Sequence, residues 1–257
     1  MNLAVAAVLA GGLALIGREL GWLTLAGAIA AAAVGAAVFV GGGLVGAALL
    51  GLFFVSGSLL TRLSHRSGGR HRLDEQPAGR RATQVLANGS WAAIGGILLL
   101  GWDCGWLILT GSLAAAQADT WATELGAFSH TPPRLLSSGK VVPPGTSGGI
   151  TLLGTVGGTM GAVAMAALSG VLDLAPKIVA ASLVGGVLGM MLDSLLGATV
   201  QASYLCQSCG KPGETAKHEC GEPAVLTHGW AWLDNDAVNL IATGAGAGIA
   251  LVLWWWM

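Results

Sequence analysis

The sequence predicts an all-α, polytopic membrane protein of about eight transmembrane helices, the first of them short. Three observations predict it. Of 257 residues, 54% are hydrophobic and only 10% charged, where a soluble domain carries roughly a quarter. The apolar residues come in long unbroken runs, not the short alternating segments of a transmembrane β-barrel, and the mean hydropathy is +0.71. Glycine reaches 42 residues, and with alanine it lets helices approach closely in lipid, where packing drives association.

The spans follow in order as one integral membrane domain over residues 1–257. Leu3 to Ile16 is the short first run, ended by Arg18 and Glu19. Met1-Asn2-Leu3 lacks the basic start of a secretory signal, so this run is expected to be retained. Leu23 to Val40 and Leu44 to Leu60 are separated by the break Gly41-Gly42-Gly43. Residues 61–82 form a basic loop with Arg62, Arg66, Arg70, Arg72, Arg80 and Arg81. Thr83 to Leu100 is the fourth span, Leu107 to Ala118 the fifth and Ile150 to Val171 the sixth. Ile178 to Tyr204 is the seventh, residues 205–229 make a cysteine/histidine loop, and Asp236 to Trp256 is the eighth. Its closing Trp254-Trp255-Trp256 suits a membrane interface.

Arginine concentrated between the third and fourth spans marks that side as cytoplasmic. Counting outward puts Arg18, Arg134, Lys140, Lys211 and Lys217 on the same side, and chiefly Lys177 on the other. Every polar motif then falls at the cytoplasmic face of what is expected to be a prokaryotic inner membrane. The formal net charge of −1 gives no reason to expect a nucleic-acid partner; membrane lipids are the expected surroundings, and monomer and homodimer both stay open.

Gln117 to Gly149 is the richest stretch. An apolar helix acquires Asp119, Thr120, Thr123 and Glu124 where it leaves hydrocarbon, and isolated acids there are expensive to keep. Asp119 and Glu124 are about 140° apart around an ideal helix, so they do not both face one metal. Asp119 is the deeper candidate ligand, and Glu124 is suited to orienting a neighbour, holding a base or binding a second ion. The helix is followed by Arg134, Lys140 and the turn Pro144-Gly145-Thr146-Ser147-Gly148-Gly149. Acids, a base and a glycine turn opening the next helix suit a metal-bound phosphate. The turn is not a Walker A loop, because the lysine precedes the glycines.

Four further constellations carry polar residues into apolar runs. Arg81, Gln84 and Asn88 share one helical face beside Arg80, and two arginines beneath amides can hold a phosphate. Asp193, Gly197 and Gln201 are spaced as one face of the seventh span. Asp236 and Asn239, with Asn235, offer oxygen ligands for Mg²⁺ at the mouth of the eighth, where a helix N-cap by Asp234 or Asn235 competes as an explanation. Cys206-x-x-Cys209 with His218-x-Cys220 matches a closed structural Zn²⁺ site, with a redox CxxC as the weaker alternative.

Taken in order, Gly79-Arg80-Arg81 with Gln84 to Gly89, Asp119 to Gly126, Pro144 to Gly149, Asp193-Ser194 with Gly197 and Gln201, and Asp234 to Asn239 resemble an integral membrane family. It contains the plant and cyanobacterial phytyl-phosphate kinases and human transmembrane protein 19. More loosely, the order of aspartate then glycine turn is similar to CTP-dependent polyprenol and phytol kinases and to phosphatidate cytidylyltransferases. Ser147 stands where the family has Asn, and Thr123 where it has Ser. The resemblance implies Mg²⁺-dependent transfer of a phosphoryl group from a nucleoside triphosphate, CTP favoured, to an isoprenoid monophosphate such as phytyl or geranylgeranyl phosphate. Asp119 with Asp193 or Asp236 would hold the metal, and Lys140 with the amides of Gly145 to Gly149 the triphosphate. Arg80 and Arg81 would take the acceptor phosphate or spread transition-state charge. A phosphorylated-lipid transporter and a CDP-lipid-forming cytidylyltransferase are the competing classes. A purely structural scaffold leaves the polar residues unexplained.

Overall fold

A computed structural model of the chain describes residues 3–67, 79–210, 212–217 and 220–257. The described residues form seven helices: α1 (Leu3–Glu19), α2 (Leu25–Arg66), α3 (Ala82–Leu98), α4 (Gly105–Gly126), α5 (Leu152–Val171), α6 (Pro176–Thr199) and α7 (Asn235–Trp256). Two small antiparallel sheets join them. β1 (Arg134–Leu135) pairs β2 (Gly149–Ile150) between α4 and α5. β3 (Ser203–Cys206), β4 (Pro212–Gly213) and β5 (Ala224–His228) lie in the order β4-β3-β5 between α6 and α7.

α2 carries both apolar runs expected as the second and third spans. It is not one straight rod. Gly43 sits at φ 57°, ψ −147° inside it, a backbone region costly for any residue with a Cβ. A methyl on Gly46 would lie 3.0 Å from Val38 Cγ1, whereas eight residues of straight helix span about 12 Å. The chain therefore folds back at the triple glycine.

α4 is the hub, touching α2, α3, α5, α6 and α7. Its residues from Leu107 to Ala118 are buried, apart from half-exposed Ile108. Small residues make this enclosure sterically feasible. A methyl on Gly111 would come within 2.7 Å of the Gly246 carbonyl oxygen, and one on Gly186 within 2.7 Å of Ala114 Cβ. Four helices, α2, α5, α6 and α7, are long and apolar enough to cross a membrane. α4 carries Thr110, Ser112 and Gln117 instead of a fully apolar surface because it faces protein on all sides, where such groups find partners. The outward faces reverse the soluble pattern: Leu44, Leu152, Val171 and Trp255 are each more than three-quarters exposed.

Two boundaries differ from the sequence expectation. Thr61 to Arg66 continue α2 and are not loop, because Thr61 and Ser64 find hydrogen-bond partners on α4. The seventh span ends at Thr199, before Gln201 and Tyr204, which belong to the sheet connection. Arg70, Arg72, Lys211 and His218 lie outside the described residues.

Gly111→Ala should lower stability by about 1–3 kcal/mol through overpacking against α7. Gly51→Ala, which meets nothing within 4 Å, should stay within about 0.5 kcal/mol of wild type. Thermal unfolding of both variants in detergent checks the pair, and equal melting temperatures would contradict the packing described here.

Candidate functional site

The C-terminal end of α4 and the N-terminal end of α5 are joined by a proline-rich connection that folds back over α6. Together they line a partly open cavity of about 110 Å³. Asp119 and Thr123 line it from α4, Thr146 and Gly148 from the glycine turn, and Asp193 and Ser194 from α6. Asp193 is 8% exposed and Asp119 half-buried, so two carboxylates from different helices share one partly open cavity with backbone of the turn.

The turn is held by close backbone approach. Gly148 has φ 72°, and a methyl on it would meet the Ala198 Cα at 2.5 Å. A methyl on Gly197 would meet the Gly148 nitrogen at 2.7 Å. The small residue that follows Asp193 by one helical turn thus serves a close contact with the turn. Pairing of β1 with β2, Arg134 opposite Ile150 and Leu135 opposite Gly149, fixes the turn's stem. Arg134 Nη1 donates to the Gly139 carbonyl at 2.9 Å, and Lys140 is exposed at the hairpin tip, outside the cavity lining.

A second contact reaches the turn from the small sheet. Ser147 Oγ donates to Glu214 Oε1 at 2.8 Å. Gln201 Nε2 donates to Ser147 Oγ at 3.3 Å and to Glu214 Oε1 at 3.4 Å. Gln201 is 2% exposed and lies beyond the end of α6, bridged to Trp230. Glu214 is a residue that sequence reasoning missed, since nothing in its local spacing points to Ser147. In the same module the Cys209 backbone amide, acting on the Cys206 sulfur, holds that thiol below its ordinary pKa.

Glu124 faces the other way, toward α2. Thr61 Oγ1 donates to its Oε1 at 2.6 Å and Ser64 Oγ donates to its Oε2. Arg80 turns into the same interface. Its Nη1 donates to Ser58 Oγ at 3.0 Å, and its guanidinium lies 5.7 Å and 5.6 Å from the ring centres of Phe53 and Phe54, where Glu124 acts on it electrostatically. Backbone bonds from Arg80 N to Trp22 O and from Thr24 N to Arg80 O pin that residue to the α1–α2 turn. On α4 itself, Trp121 Nε1 donates to Ser56 Oγ and Ser56 Oγ to Gln117 Oε1. The α2 hydroxyls Ser56, Ser58, Thr61 and Ser64 were missed as a group. Their signal was four hydroxyls within nine residues at the end of an apolar run.

A third grouping sits at the seam of α3 and α7. Arg81 Nη2 lies 3.9 Å from Asp236 Oδ2, with Arg81 largely exposed. The Arg81 amide donates to Gln84 Oε1, while Asn88 and Asn239 each donate to the carbonyl four residues back, on Gln84 and Asn235. Asp234 caps α7 by accepting from the Ala237 amide at 2.9 Å. None of these residues lines the cavity, so Arg80 and Arg81, adjacent in sequence, diverge to two different interfaces.

Glu124→Gln should therefore act on stability first, by about 1–3 kcal/mol, since it weakens a buried, charge-assisted network. Turnover per folded molecule should stay within about tenfold, because Glu124 does not face the cavity. Unchanged melting with abolished turnover would place Glu124 in the reaction instead.

Comparison with known proteins gives a consistent result. The family described as integral membrane protein DUF92 matches residues 8–247. Protein PGR of Arabidopsis thaliana is 33% identical over 86% of this chain and 85% of its own length. An uncharacterized membrane protein of Methanocaldococcus jannaschii is 31% identical over 80% of this chain and 75% of its own. The chloroplastic protein VTE6 of Arabidopsis thaliana is 23% identical over 90% of this chain and 65% of its own. No solved structure matches the chain. With the family match running over nearly its whole length, the chain belongs to the DUF92 family of integral membrane proteins.

Proposed function

We propose that this protein is a membrane prenyl-phosphate kinase. It transfers the terminal phosphoryl group of a nucleoside triphosphate, CTP favoured, to an isoprenoid monophosphate, giving the diphosphate. One observation carries this reading: a single small cavity is lined by Asp119, Asp193 and the Thr146–Gly148 turn, at the end of a bundle packed from glycine and alanine. Family membership and the ordered motifs support it.

A phosphate oxygen of the acceptor attacks the γ-phosphorus, the β–γ bridge breaks, and the nucleoside diphosphate leaves with that bridging oxygen. Such a transfer needs positioning and charge neutralisation more than covalent chemistry from the protein. Asp119 and Asp193 would hold Mg²⁺; their two carboxylates and the neighbouring Thr123 and Thr146 hydroxyls form an oxygen-rich donor set that fits this cation. Bound there, Mg²⁺ would neutralise the phosphate oxygens. The turn from Gly145 to Gly149 presents backbone close to the donor's phosphates, and exposed Lys140 adds positive charge at the hairpin tip. Arg81, exposed at the α3–α7 seam beside Asp236, would take the acceptor phosphate, with Gln84, Asn88, Asn235 and Asn239 beside it. Arg80, held by Ser58, Phe53 and Phe54 at the other interface, would act only by positioning. Asp236, already opposite Arg81, orients that arginine and is the weaker metal candidate.

The bundle makes eight passes when α2 is counted as two, and the site faces the cytoplasm of a prokaryotic membrane. Arg62 and Arg66 at the end of α2 lie on that side, as the positive-inside rule requires. The prenyl tail extends between helices into lipid.

Purified protein with Mg²⁺, phytyl or geranylgeranyl monophosphate and γ-labelled nucleotides should yield labelled prenyl diphosphate. Release of pyrophosphate with a CDP-lipid product would overturn the kinase reading. Transport of the lipid phosphate without nucleotide turnover would do the same. Asp119→Asn and Asp193→Asn should each cut turnover by about 10²-fold or more, while Asp236→Asn should cost less than about tenfold, its partner being solvent-exposed.

A further inference from the structure

Outside the cavity, one cluster of metal-ligating side chains stands apart. Cys206, at the end of β3, Cys209 in the turn after it and Cys220 before β5 bring their three sulfur atoms within 4.8 Å of one another. Cys206 and Cys220 sulfurs are 3.5 Å apart, and no disulfide joins the described cysteines. Tetrahedral thiolates at about 2.3 Å from a zinc ion have sulfurs about 3.8 Å from each other, so the cluster has the dimensions of a zinc centre.

The module around it has little else to hold it. Its strands are two to five residues long, and Leu205, Val225 and Leu226 point apolar surface outward. Short sheets without a core of their own are stabilised by metals or cross-links. Yet this module carries Glu214, which accepts hydrogen bonds from Ser147 in the glycine turn and from buried Gln201. In sequence, Glu214 lies between the second and third cysteines, inside the loop that a shared ligand would close.

We propose that Cys206, Cys209 and Cys220 bind one Zn²⁺ as thiolates, and that this ion fixes the loop presenting Glu214 to the glycine turn. The ion is structural: its ligands lie outside the cavity lining, and it takes no part in the reaction. The proposal concerns metal content and loop order, so it stands or falls separately from the kinase reading.

Elemental analysis of the detergent-purified full chain should find about one zinc per chain. Cys206→Ser, Cys209→Ser and Cys220→Ser should each lower the zinc content at least fivefold, roughly. Cys104→Ser, at the α3–α4 connection, should leave it unchanged. Cobalt exchanged into the wild type should show a thiolate-to-cobalt charge-transfer band. Should a serine variant not assemble, mercurial titration of wild-type thiols must release the zinc in step with modification. Removing the metal should speed hydrogen exchange in residues 144–149, the segment Glu214 holds. Zinc content equal in wild type and cysteine variants would overturn the proposal, as would wild-type protein without zinc and with Cys206 joined to Cys220.

Discussion

Burying a carboxylate between helices is costly unless donors or a cation meet it, and among the described residues this bundle buries two, Glu124 and Asp193. Much of its architecture answers that constraint. α4 is enclosed by glycine and alanine contacts from its neighbours, which bring helices near enough for one side chain to reach another. Glu124 is satisfied by hydroxyls of α2. Asp193 and Asp119 instead converge on a cavity. On α4 two acids five residues apart thus face different surroundings, Glu124 the hydroxyls of α2 and Asp119 the cavity.

The polar residues fall into three groupings with different physical roles. The α2–α4 interface is hydroxyl-rich, and there Arg80 is anchored both by Ser58 and by the faces of two phenylalanines. The cavity combines carboxylates and hydroxyls with backbone of a glycine turn. The α3–α7 seam is built from amides bonded mainly to their own helices and from an exposed ion pair, an interaction weak in itself. Close approach of Gly148 to Gly197 and Ala198 is what allows the second grouping to form.

How much of this was legible depended on whether the signal was local. Apolar runs gave each helix, the triple glycine gave the reversal inside α2, and helical geometry separated Asp119 from Glu124. The chemistry of the Asp234 cap was also readable, since it spans only three residues. Contacts between distant segments were not readable. Ser147 and Glu214 are joined across 67 positions, and Thr61 and Glu124 across 63; no periodicity encodes either. The end of α6 was placed too late because no proline, glycine or charge breaks the chain between Thr199 and Tyr204, while the backbone there bonds to Leu233 and Trp230.

The proposed function stands on Asp119 and Asp193 sharing one divalent cation across the cavity. Mn²⁺ binding followed by electron paramagnetic resonance, with nucleotide present, tests it most directly. Wild type and Asp236→Asn should hold the ion tightly, and both Asp119→Asn and Asp193→Asn should lose it. Binding that survives Asp193→Asn but disappears in Asp236→Asn would contradict it and move the metal to the mouth of α7.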